Sequence, residues 1–162
     1  PVADCAAGPA GPLPDVSKLW SKGQIERFRK AVVWANLIGG ATGLAVLGAV
    51  AIAPDLILRL FAGEAFADLS GLLLVQMLAV VIFMFGLALR LALYSMERDV
   101  ALLKIVALAT AAFYLTFFTL MPWAGVMAAS LGHCAFNLVW LGLCLHVFRR
   151  QTAVATPHSQ TK

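Results

Sequence analysis

The chain has 162 residues, of which 62% are apolar and only 12% charged, with a formal net charge of +4. Soluble domains carry about 25% charged residues, and a particle of this size could not hide so much apolar surface from water. Composition therefore excludes a soluble enzyme and points to lipid as the solvent.

The chain opens on PVADCAAGPAGP, small and proline-rich. It lacks the apolar stretch of a signal peptide, and the expectation is a poorly ordered lead. The following LPDVSKLWSKGQIERFRK is basic. On a helix, Val16, Leu19 and Trp20 would share one face and Ile25, Phe28 and Val32 another. Gly23 falls between the two sets. The pattern predicts a short amphipathic helix on the cytoplasmic surface, a turn at Gly23 and a basic lead-in facing water and anionic headgroups. The plainer alternative is a basic loop that only sets topology.

Four apolar runs follow. Residues 31–53 carry no charge, and at 1.5 Å per residue they reach about 34 Å, enough for a hydrocarbon layer of about 30 Å. Pro54 then introduces DLILRLF, which suits an interfacial turn of helix carrying Arg59, and GEAFAD returns the chain to the membrane. Residues 69–94 form the second run, apolar except for Gln76 and Arg90. Residues 105–121 form the third, extended by 100–103 around Lys104. Residues 124–148 form the fourth, with His133, Asn137 and His146 as polar members. Lipid offers no partner for free backbone groups, so each run should be helical. Barrel strands would alternate apolar and polar residues, and these runs do not.

The expected fold class is an all-α integral membrane bundle of four helices preceded by a short amphipathic cytoplasmic helix. Its parts are a cytoplasmic segment over 1–23, the four-helix part over 24–150 and a disordered cytoplasmic tail over 151–162. Lys and Arg number five before the first run, then one, three, none and three in the successive connections and the tail. By the positive-inside rule this alternation places both termini in the cytoplasm. Trp20, Trp34, Tyr94, Trp123 and Trp140 fall mostly near expected helix ends, where amphipathic rings sit at the interface. Gly39, Gly40 and Gly43 make a small face that lets a second helix approach. Cys5, Cys134 and Cys144 have no metal-ligand spacing.

No nucleophile stands beside a base at helical spacing, no carboxylate pair lies within a run, and nothing resembles a phosphate loop or a nucleic-acid groove. The chain is not expected to be an enzyme or to use a resident cofactor. Function is therefore sought in polar residues at membrane depth, which are costly there. Arg90 lies about 6 Å from the Tyr94 end of its run. Either it snorkels to the surface or it faces an internal cavity. Gln76 precedes it by nearly four helical turns and would share its face. Lys104 sits about one turn inside the third run and can snorkel likewise. Ser130, His133 and Asn137 are spaced to share a face of the fourth helix. They could bond a neighbouring helix or line a water-filled path. Asn36 reads as a polar contact between helices.

Four segments carry a family resemblance. LPDVSKLWSKGQIERFRKAV is similar to the stretch of polysaccharide flippases with a proline, a serine, a small turn and a basic helix start. APDLILRLFAGEAFAD resembles their segment after the next span, with Ala62 inserted before Gly63. ALYSMERDVALLKI resembles their short basic cytoplasmic link, and MPWAGVMAASLGH their entry to a later helix. The resemblance covers residues 13–148, and the order of the segments is more specific than any one of them. These flippases belong to the multidrug, oligosaccharidyl-lipid and polysaccharide exporter superfamily.

The resemblance implies that the chain is part of one lobe of a two-lobed carrier, the C-terminal one, with the N-terminal lobe helices lying outside this sequence. The start at Pro1 is read the same way. It implies translocation of undecaprenyl-pyrophosphate-linked sugar across the bacterial inner membrane by alternating access, with Na+ or H+ as a coupling ion. Arg90 is then the first candidate for a cavity cation, and Gln76, His133 and Asn137 are further substrate-binding candidates. The expected partners are the bilayer, the missing lobe and the lipid-linked oligosaccharide. The alternatives are a multidrug exporter of the same superfamily, which a carboxylate within a span would favour, and a small stand-alone membrane subunit. An intramembrane enzyme comes last.

Overall fold

The computed structural model describes residues 16–155. The expectations of a disordered lead over 1–15 and of disorder over 156–162 fall outside them. Helix α1 (Val16–Ser21) ends in a tight turn. Gly23, at φ +67°, donates its N–H to the Trp20 carbonyl, and Gln24 donates to that of Leu19. This is a Schellman closure, and the left-handed residue it requires is the glycine noted in the sequence. The apolar side of α1 does not simply lie on the membrane. Leu19 and Trp20 pack against the bundle core, with the Trp20 ring 5.2 Å from Phe28 and Phe28 6.0 Å from Phe148.

Helix α2 (Ile25–Ile52) is the first span. Pro54 starts α3 (Pro54–Ala62), where its fixed φ suits the first helical turn and its missing N–H leaves no bond unmade. A 3-10 turn (Glu64–Leu69) joins α3 to the second span, and Arg59 lies 3.6 Å from Glu64 across that corner. The second span is not one helix. It divides into α4 (Ser70–Met84) and α5 (Leu87–Ser95), with a turn at Phe85–Gly86. Another Schellman closure ends α5. Glu97, at φ +54°, donates to Tyr94, and Arg98 donates to Leu93. Here a glutamate holds the conformation that glycine adopts without a steric penalty.

Helix α6 (Asp99–Ala124) carries the third span through Lys104, as the sequence predicts, and Pro122 lies within its last turn. Helix α7 (Met127–Ala155) runs past Arg150 and corrects the tail boundary at 151. Residues 151–155 are helical, with Thr152 bonded to the Phe148 carbonyl at 3.0 Å and Gln151 accepting from Arg98 at 3.0 Å.

Among the described residues, four helices are long and apolar enough to cross a membrane, the α4–α5 pair counting as one. The described residues contain no strand. The chain is an all-α, multi-pass membrane protein by length and composition. In space, α2 packs on the α4–α5 pair, which packs on α7, which packs on α6. The fourth span thus lies between the second and third. Of its most apolar window 28% is buried, against 11% for the peripheral first span. Most of the remaining surface is apolar and available to lipid or to further helices. The main core joins Phe28, Val32, Leu89, Leu93, Ile105, Trp140, Cys144 and Phe148 in the half of the bundle nearer the basic ends.

Candidate functional site

The polar residues at membrane depth separate into two groups. The first lies between α4 and α7. Gln76 Nε2 is 2.8 Å from His133 Nδ1. An amide N–H donating to Nδ1 requires a neutral ring with its proton on Nε2. One turn further along, Asn137 Nδ2 donates to the Ala79 carbonyl at 2.9 Å. Cys134 Sγ lies 3.6 Å from the Val75 carbonyl. Ser130 is buried, and with Gln76 it lines an otherwise apolar cavity of about 350 Å³ walled by Leu58, Phe66, Leu69 and Leu73. The shared face expected for Ser130, His133 and Asn137 exists, and it is turned towards α4. Asn137 is 1% exposed, and its Oδ1 has no partner among the described residues. Such an orphaned acceptor costs about 1–3 kcal/mol.

The second group surrounds the break in the second span. Close neighbours from two other helices meet it there. The Phe85 ring occupies the space a Cβ on Gly40 would need, and Trp140 lies over Gly86 in the same way. The small face at Gly39, Gly40 and Gly43 receives Met84, Phe85 and Val81, which is the close approach the sequence suggested. Trp140 is 3% exposed. Its expected place near an interface is corrected, because its ring fills the gap over Gly86 and packs 6.0 Å from Phe83. Asn36 Oδ1 accepts the N–H of Ala88 at 2.9 Å. Ala88 lies in the first turn of α5, where backbone donors have no partner within the helix.

Arg90 stands one turn beyond the break, and its N–H makes a bond of α5 to the Gly86 carbonyl at 3.3 Å. Its side chain is exposed, and its guanidinium has no hydrogen-bond or ion-pair partner among the described residues. The expectation that Gln76 and Arg90 share a face assumed one continuous helix. In the structure the helix is interrupted between them: Gln76 turns inward to His133, and Arg90 is exposed one turn beyond the interruption. Lys104 is exposed near the start of α6.

Sequence reading treated Asn36 as a general interhelical contact and missed that it caps a broken helix. The available signal was Gly86, a lone glycine within an apolar helical run. No group of three metal-ligating side chains occurs among the described residues. Compared with known proteins, the chain matches no family model, no curated protein and no solved structure.

Proposed function

We propose that this chain forms part of one lobe of a carrier that flips a lipid-linked oligosaccharide across the bacterial inner membrane. The observation that carries the reading is the interrupted second span with Arg90 one turn past its break. Interrupted spans mark binding sites in transporters, because broken helices place helix ends and polar groups at membrane depth. An intramembrane ionisable group without a partner is likewise a functional-site candidate. Gln76, His133 and Asn137 are engaged between α4 and α7. That leaves Arg90 as the polar group of the spans best placed to meet a pyrophosphate. The sugar and isoprenoid parts of the proposal rest on the order of the four motif segments. The basic ends lie in the cytoplasm in this reading, and an Na+ or H+ gradient drives the rocking of two lobes.

The test is complementation of surface-polysaccharide synthesis by the full-length carrier. Arg90→Ala should reduce it about tenfold or more at unchanged membrane abundance, the scale of losing a charged contact of about 1.5–3 kcal/mol. Arg90→Lys should retain part of it. Normal complementation by Arg90→Ala removes the residue from the site.

A further inference from the structure

We propose that Asn36 is a positioning residue that sets the direction of α5 and therefore of Arg90. The inference rests on the carrier reading above only for its link to transport. Its structural half stands on the joint itself.

Helix α5 has nine residues, about 13 Å, and is severed from α4 at Phe85–Gly86. Leu89, Ala92 and Leu93 bury the body of α5 in the main core, and the contacts at its start set how it leaves the break. Three meet at this joint. The Phe85 ring lies on Gly40 of α2, Gly86 lies under Trp140 of α7, and Ala88 donates to Asn36 Oδ1.

The first two contacts are apolar and fix how closely the helices approach. The third is directional, because a hydrogen bond weakens steeply as its angle opens. Its polarity is unambiguous, since a backbone N–H can only donate and the amide oxygen can only accept. In lipid the donor has no water to fall back on, so loss of the acceptor leaves it unpaired or forces the turn to rearrange. Asn36 thus ties the first span to the free end of α5. Arg90, in the following residues of that turn, moves with it. Of the other interhelical polar bonds, those of α7 to α4 lie on the far side of the break, and Arg98 to Gln151 holds the opposite end of α5, past Ser95.

The experiment uses the full chain in lipid nanodiscs, with native cysteines replaced by Ala. Spin labels are placed at Leu91→Cys and Leu138→Cys, at positions 58% and 56% exposed. Asn36→Leu removes the acceptor, while Asn36→Asp keeps an oxygen in place in either protonation state. The expected result is a broadened or shifted distance distribution for Asn36→Leu and a parent-like one for Asn36→Asp. Transport by the full-length carrier should fall about tenfold with the first and recover with the second. An unchanged distribution in Asn36→Leu overturns the inference, and so does an equal change in both variants. If Asn36→Leu does not yield monodisperse protein, Asn36→Ala reads the same loss with a smaller side chain. The label distance reports helix direction and not transport. A normal Arg90→Ala carrier would therefore sink the substrate reading while the distances still judged Asn36.

Discussion

The two ends of the second span are held by different physics. The α4 end is tied to α7 through side-chain hydrogen bonds, Gln76 to His133 and Asn137 to the Ala79 carbonyl. It also borders a cavity. The α5 end is held by close packing, with aromatic rings seated on glycines and one backbone cap from Asn36. In water the hydrogen-bonded end would be read as the specific one and the packed end as generic core. In lipid, association rests chiefly on packing, and interhelical hydrogen bonds average only about 0.6 kcal/mol. The packed joint should therefore be the more fragile end.

The sharpest test of that difference is Trp140→Ala. It empties the space over Gly86 and removes the contact with Phe83, and it should cost about 3–5 kcal/mol in a denaturation titration in mixed micelles. A cost under about 1 kcal/mol would show that the joint collapses onto the void and is not a rigid packing device. Gly40→Ala works in the opposite direction, by adding a methyl where Phe85 sits. Overpacking of this kind costs about 1–3 kcal/mol, and the same titration reads it. A stable Gly40→Ala protein would mean that the Phe85 ring rotates away freely. The smallest effect belongs to the hydrogen-bonded end. A double-mutant cycle of Gln76→Ala and His133→Ala should give a coupling of about 0.6 kcal/mol and no more than about 1.7. A larger coupling would reverse the ranking of the two ends.

Much of this was legible in the residues. Long apolar runs located the four spans, because a bilayer demands long apolar helices. Gly23 marked the elbow before the first span because a glycine without a Cβ enters the left-handed region readily, and α1 does end there. The Gly39–Gly43 face correctly announced a close approach without naming its partner. Less legible were the break at Phe85–Gly86 and the burial of Trp140. Gly86 is a local sign, but a glycine in an apolar helical run is tolerated and does not by itself announce an interruption. The space that makes it stable belongs to α2 and α7.

The candidate site was legible to a lesser degree. Arg90, Gln76, His133 and Asn137 stood out because polar groups are rare in lipid spans, but the partners of the last three lie more than fifty residues away in sequence. Only the packing order showed that three of them serve contacts between α4 and α7 and that Arg90 does not.

Composition and the rhythm of apolar runs by themselves determined an all-helical membrane protein with four spans, since solvent and backbone hydrogen bonding leave few other choices. The order of the helices, with the fourth between the second and third, was decided only by the tertiary structure. So were the division of the second span and the role of Asn36 as a cap. Each depends on which surfaces fit at close range, and shape complementarity between distant segments leaves no periodic trace in either one.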